Sequence, residues 1–220
     1  MILFLAVIAI ALLLGYAMRG RLRRLEELRL RWWAFALVGL ALQFIPLPSG
    51  RWGTDLIVRS IVLGVSYAML LAFCAANIRL PGIPVLMVGL ALNGIVITAN
   101  GGMPVSAWAI ARSDQPGVYH ELATGRSAKH HLADGGDVLR FLGDVIPIGD
   151  PIRQVASVGD VFVYAGLVIL LVQAMRGRTG APYLEPPGRY RGRHRTSPPR
   201  PLSAAPLRPP PAATTSGTEP

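Results

Sequence analysis

Apolar residues along this chain gather in blocks instead of alternating with charge, and five blocks approach the length of a membrane crossing. A helix needs about 20 mostly apolar residues to span the ~30 Å hydrocarbon layer of a bilayer, within a range of about 17–25. Residues 1–18 carry no charged side chain, and residues 32–48 open on Trp32 and Trp33, which suit the headgroup boundary. Residues 56–76 hold one charge, Arg59, near one end; residues 83–99 hold Asn93; residues 158–175 hold Asp160 near their start. Buried helices of a soluble bundle would show a polar stripe, and the first block shows none. The pattern predicts an all-α, polytopic transmembrane helix bundle of five spans over residues 1–176, with a folded outer loop and a disordered C-terminal tail from 177 to 220.

Nothing basic precedes the first block, and it ends Gly15-Tyr16-Ala17-Met18-Arg19. A cleaved leader has a basic start and a small-residue cleavage site, so the block reads as a retained anchor. The 58 residues of 100–157 are too many for a structureless connection. Asn100-Gly101-Gly102-Met103-Pro104 reads as a helix stop, because Gly tolerates a left-handed cap and Pro cannot continue a helix. Residues 105–111 predict a short interfacial helix with Trp108 at headgroup depth. Asp137 is placed to cap a second one carrying Val138, Leu139, Leu142, Val145 and Ile146 on one face, ended by Pro147.

Composition agrees with a membrane class. Hydrophobic residues make up 52% and charged residues 15%, against roughly 25% charged in a typical globular chain. One cysteine, Cys74, excludes an internal disulfide and a Cys-based zinc site. The net charge of +10 is localised: residues 19–31 hold six Arg against two Glu, the tail from 176 holds eight Arg against two Glu, and residues 32–175 balance at eight against eight. With Arg79, that puts 15 of 22 basic residues on one side of a five-span bundle. Basic residues accumulate in cytoplasmic loops, so the N-terminus is expected outside and the C-terminus inside a bacterial cell membrane. Anionic lipid headgroups are then the expected partner of the Arg-rich segments, at about 1 kcal/mol per Arg. The basic run Arg189-Tyr190-Arg191-Gly192-Arg193-His194-Arg195 could pair with phosphates, but orientation already accounts for the charge, and nucleic acid is disfavoured as a partner. The proline-rich 198–211 segment can present polyproline II to a protein partner.

One stripe predicts helix packing. Ser60, Gly64, Ala68, Ala72 and Ala76 recur every four residues, and small residues let helices approach in lipid, so this face is expected to be the buried one. Ionisable groups inside a span are costly and become site candidates. Asp160 and Arg59 both lie within four residues of the outer ends of their spans, at a depth that allows an ion pair or snorkelling to water. Asn93 and Asn100 share a helix face, seven residues apart. The loop adds His120, His130, His131, Asp134 and Asp137. His130 and Asp134 could share a helical face, but the spacing matches no zinc signature, so His130, His131 and Asp134 are weak metal candidates and neither a metal nor a cofactor is expected. No P-loop, nucleophile elbow or dinucleotide fingerprint occurs.

Asn100-Gly101-Gly102-Met103-Pro104, Leu142-Gly143-Asp144-Val145-Ile146-Pro147 and Ser157-Val158-Gly159-Asp160 resemble, in order, the signature segments of an uncharacterised bacterial integral membrane family, domain of unknown function 5317. The likeness covers roughly residues 1–176. It implies an integral membrane protein without an assigned activity, and it adds weight to Asn100, Asp144 and Asp160 as a set. The candidate outer-face polar cluster is therefore Arg59, Asn93, Asn100, Asp144 and Asp160, with the loop expected to fold down and bring Asp144 towards Asp160 and Asn100. Two functional classes follow. One is a non-enzymatic membrane component, a scaffold, assembly partner or small transporter. The other is a membrane-embedded enzyme using Asp144 and Asp160 as acid and base or as metal ligands. Carboxylates converging on an open cleft would favour an enzyme or a transporter; carboxylates that cap helices or pair with Arg59, Arg140 or Arg153 would favour a structural role.

Overall fold

The computed structural model describes residues 2–47, 53–125, 127 and 129–179. The chain divides into two units, Met1–Tyr183 and Leu184–Pro220. The second unit lies outside the described residues, and with it the arginine and proline motifs and nearly all of the tail expected to be disordered.

Five apolar helices stand in a row. Helix α1 (Ile2–Ala17) packs on α7 (Val158–Met175), α7 on α4 (Ile83–Asn100), α4 on α3 (Thr54–Ala76), and α3 on α2 (Trp33–Leu42). Helices α3, α4 and α7, of 23, 18 and 18 residues, are long and apolar enough to cross a membrane. Helices α1 and α2 are as apolar but have only 16 and 10 residues. At 1.5 Å per residue α2 reaches about 15 Å, half a hydrocarbon layer, so among the described residues three of the five expected spans have the length and composition to cross. Helix α2 stops early because Pro46 lacks an N–H and pushes Ile45 away from helical geometry. The Gln43 side chain at its end donates to Ser66 Oγ at 3.0 Å.

Helices α4 and α7 meet glycine on glycine. A Cβ added at Gly82 would lie 2.2 Å from the Gly166 carbonyl oxygen, and one at Gly89 would lie 2.4 Å from the Gly159 carbonyl oxygen. The two helices are antiparallel and carry these glycines seven residues apart, so both pairs meet at once. Backbones then touch directly, which is how helices associate where no hydrophobic force drives them together. The stripe expected on α3 is not its buried face. That face is Arg59, Leu63, Ser66, Leu70 and Cys74, while Ala68 is exposed and Ser60, Gly64, Ala72 and Ala76 are half-buried. Close approach to α3 is supplied by its neighbour instead: Gly39 of α2 takes a hydrogen bond from Ser66 Oγ at 2.7 Å and lies against Leu70.

Helix α1 is tied to α7 at both ends. The Leu3 N–H donates to Gln154 Oε1 at 2.9 Å, just before α7 begins. Past its far end, the Arg21 N–H donates to the Met175 carbonyl and Arg24 Nη1 to the Arg176 carbonyl, each at 2.8 Å. A guanidinium on the last carbonyls of a helix also complements its dipole.

The segment between α4 and α7 corrects the all-α expectation. It holds a four-stranded sheet in the order β2-β1-β3-β4, with β1 Met103–Val105, β2 His130–Leu132, β3 Asp144–Ile148 and β4 Gln154–Ser157. Strand β1 runs parallel to β2 and β3, and β3 is antiparallel to β4. Two short helices, α5 (Ala107–Arg112) and α6 (Pro116–Ala123), cover it, with Val105, Ile110 and Leu122 as their shared core. Helix α5 overlaps the short helix expected at 105–111, and its Trp108 is exposed. The helix expected from Asp137 does not form. Leu139 adopts φ 55, a single 3-10 turn covers Arg140–Leu142, and β3 follows. Val145, Ile146 and Ile148 are β-branched, and β4 lies alongside to pair Ile146 and Ile148, which outweighs a helical spacing of apolar positions. Asp137 spends its side chain on His131 and on the Asp134 N–H, both at 2.7 Å.

Gly166→Ala should lower the unfolding free energy in detergent micelles by about 1–3 kcal/mol, because its Cβ meets backbone that cannot move aside. Gly64→Ala places its Cβ 3.4 Å from Thr98, an ordinary contact, and should change stability by less than about 0.5 kcal/mol. Equal melting curves for the two variants would contradict this packing.

Candidate functional site

The glycine contact between α4 and α7 brings Asn93 onto the first turn of α7. Ser157 is the N-cap of that helix. Its Oγ accepts from the Asp160 N–H at 3.0 Å, while Asp160 Oδ2 accepts from the Ser157 N–H at 3.0 Å, a reciprocal capping box. The second carboxylate oxygen of Asp160 accepts from Asn93 Nδ2 at 2.8 Å, and Asn93 Oδ1 accepts from the Ser157 hydroxyl at 2.9 Å. The ring of bonds is closed, with Ser157 fully buried and Asn93 nearly so. Gly159 has to be glycine here, since a Cβ would lie 2.0 Å from Asn93 Oδ1.

Asp144 opens strand β3 opposite Ser157 of β4, beside Val105 of β1. The pairing slips between Asp144 and Ile146, leaving Val145 outside the register, and a bulge of this kind re-aims the neighbouring side chain. Asp144 is 8% exposed, and among the described residues no hydrogen bond reaches its carboxylate. The nearest titratable partner is His130, whose Nε2 lies 3.9 Å from Asp144 Oδ2. Burial lifts the Asp144 carboxyl to about 8, and the charge of Asp160 adds to the lift. The surrounding protein, and after it Lys129, holds the His130 imidazole below its usual range, although its side chain is 47% exposed to the space beside it.

That space is a cleft of about 450 Å³ at the sheet end of the bundle, lined by Arg59, Asn100, His130, His131, Asp134 and Asp137 among others. Arg59 and Asp160 are not partners. Arg59 donates its Nε to the Gly101 carbonyl, and the Asp160 oxygens are taken by Asn93 and Ser157. Asn100 pairs with the backbone of Val138 on both sides, accepting from its N–H at 2.7 Å and donating to its carbonyl at 2.9 Å. It thereby pins the 134–139 turn over the end of α4. Asn93 and Asn100 share a helix face but serve different segments. His130 and His131 lie on β2 instead of a helix, and Asp134 lies in the turn after it. His120 is exposed on α6. Among the described residues no three His, Cys, Asp or Glu side chains converge as metal ligands. Arg140 donates to the Asp134 carbonyl at 3.1 Å, and Arg153 pairs with Asp150 and Asp114. Neither engages Asp144.

A family of unknown function, DUF5317, matches residues 27–172. The chain belongs to that family. It is similar to a Thermotoga maritima protein described as uncharacterized, at 32% identity over 124 residues that cover 55% of this chain and 68% of the relative. No solved structure matches. The matched stretch takes in α2, α3, α4, the sheet and most of α7, so the residues of the capping ring and of the cleft lie within it.

Sequence reasoning singled out Asp144, Asp160, Asn93 and Asn100 but passed over Ser157 and gave His130 only a metal role. The Ser157 signal was present as Ser-Val-Gly-Asp, a serine followed three residues later by an acid at the head of an apolar run. The proximity of His130 to Asp144 was not readable, because it depends on strands that pair across the sheet.

The carboxyl shift has a consequence for stability. An unfolded Asp titrates near 3.8 and folded Asp144 near 8, so through that window the folded chain holds the extra proton and stability falls as pH rises. His130, lowered from 6.5, acts in the opposite sense and only below that value. From about pH 6.5 to about pH 8 the Asp144 slope stands alone of the two. The melting temperature in detergent should fall across this range, and Asp144→Asn should flatten the fall. An unchanged slope in that variant would contradict the assignment.

Proposed function

We propose that this protein is a multi-pass component of a bacterial cell membrane, without enzymatic chemistry of its own, whose outer face carries a folded sheet and a polar ligand-binding cleft. The membrane reading is supported by three helices of spanning length and by large apolar side chains left exposed all along the row, such as Leu13, Trp33 and Ile61. The orientation is supported by the charge: the end of the row opposite the sheet carries the Arg-rich 19–31 segment and Arg79. Those arginines would sit against anionic headgroups on the cytoplasmic side.

One observation carries the choice between the two functional classes. Each Asp160 oxygen takes a hydrogen bond, one in capping α7 and one in holding Asn93, which favours a structural carboxylate there over the second acid of an acid–base pair. What stays open to water is the cleft, which suits reversible binding of a small polar ligand and supports a scaffold, assembly partner or small transporter over an enzyme.

The reading can be checked in two steps. A fluorescent reporter fused after Pro220 should light up in the cytosol, and the chain should leave the membrane fraction only with detergent. Ser157→Ala should lower stability by about 1–3 kcal/mol through the lost cap and the orphaned Asn93 oxygen, and Asp160→Asn should likewise reduce recovery of folded protein. Wild-type recovery and melting for Asp160→Asn would return the enzyme reading to the front.

A further inference from the structure

His130 belongs both to the cleft and to the neighbourhood of a buried acid. Half of its side chain faces the open space, while its Nε2 stands 3.9 Å from an Asp144 carboxylate that no described residue hydrogen-bonds. A carboxyl this deeply placed is costly as an anion, and the inexpensive way to keep it there is to keep it protonated. We propose that Asp144 and His130 form a proton-exchange site, in which Asp144 stores a proton behind the cleft wall and His130, which lines the cleft, carries it to and from cleft water. This goes beyond the proposed ligand cleft and stands whether or not that cleft has a ligand.

The groups around Asp144 fit this division of labour. From α7 the Asp160 carboxylate lies within electrostatic range, and so does the Tyr164 hydroxyl. Tyr67 reaches the same region from α3. From the β2 side come His130 and, next to it, Lys129 and His131. Helix α4 contributes the neutral Asn93, and strands β1 and β4 contribute no titratable side chain. The nearby negative charge is thus Asp160, which favours a neutral Asp144. His131 is already held by Asp137 at 2.7 Å, so among the cleft imidazoles His130 is the one placed to act.

The transfer balances with protein groups and water alone. The O–H of neutral Asp144 breaks at Oδ2, the proton joins His130 Nε2, and Asp144 is left as a carboxylate beside an imidazolium. The imidazolium then releases its Nδ1 proton to cleft water and is left as the neutral Nε2–H tautomer. Reversal reloads the acid. A gap of 3.9 Å is closed by a rotamer change of the half-exposed ring or by one bridging water.

The test is infrared titration of the full chain in lipid nanodiscs, following the protonated-carboxyl stretch and its hydrogen–deuterium exchange. The expected result is one protonated carboxyl near neutral pH, lost as pH rises through about 8, and absent in Asp144→Asn. In His130→Gln the same band should persist but exchange roughly tenfold or more slowly, since the relay is gone while the acid stays. Persistence of the band in folded Asp144→Asn would overturn the proposal, and so would unchanged exchange in His130→Gln. A midpoint that moves when sodium replaces choline at constant ionic strength would also overturn it, by making the site one for a metal cation. Because each readout uses a variant outside the capping ring, failure of these variants to fold would itself contradict the assignment of Asp144 and His130 to exchange instead of architecture.

Discussion

Direct backbone contact between α4 and α7 is the constraint on which the remaining architecture rests. Strand β1 follows α4 after only Gly101 and Gly102, and β4 runs into α7 with Ser157 belonging to both. The distance between the two helices therefore sets the distance between two strands, and β3 fills the gap by pairing with each. The same contact presses the Asn93 amide onto the first turn of α7, where it meets Ser157 and Asp160. A larger side chain at either glycine pair would separate the helices and with them the sheet. The polar ring and the cleft are downstream of that one approach.

Two carboxylates beside the start of α7, one on its first turn and one across the sheet from its cap, have been given opposite treatment. Asp160 is surrounded by donors, from the Ser157 backbone and the Asn93 amide, so its charge is solvated by protein. Asp144 is buried with an imidazole at a distance and a neighbouring anion, so its charge is penalised. Here the division follows from strand and helix geometry: Ser157 sits opposite Asp144 in the sheet and three residues before Asp160 in the helix.

The helices were legible because apolar runs of this length have few alternatives, and the end of α4 was legible because Asn100-Gly101-Gly102-Met103-Pro104 stops a helix by local chemistry, with Gly101 at φ 65. The sheet was not. Its strands are three to five residues long, too short for alternation to register, and β1 finds β2 across more than twenty residues of intervening chain. The packing face was misread for a related reason. The stripe from Ser60 to Ala76 is a repeat within one helix, whereas Gly82 with Gly89 and Gly159 with Gly166 matter only as two matched spacings on different helices. The candidate acids were found, since polar residues stand out in an apolar chain. Their roles were not, because Asp160 depends on Asn93 from another helix and Asp144 on His130 from another strand.

Helix α1 packs chiefly against α7, held by Gln154 at one end and by the Met175 and Arg176 carbonyls at the other. Those anchors stand 151 and 152 residues further along the chain than the groups they hold. The seat of α1 is thus made by the far end of the bundle and not by the helix that follows it in sequence, so a change that loosened the start or the end of α7 would be felt first as an unmoored α1.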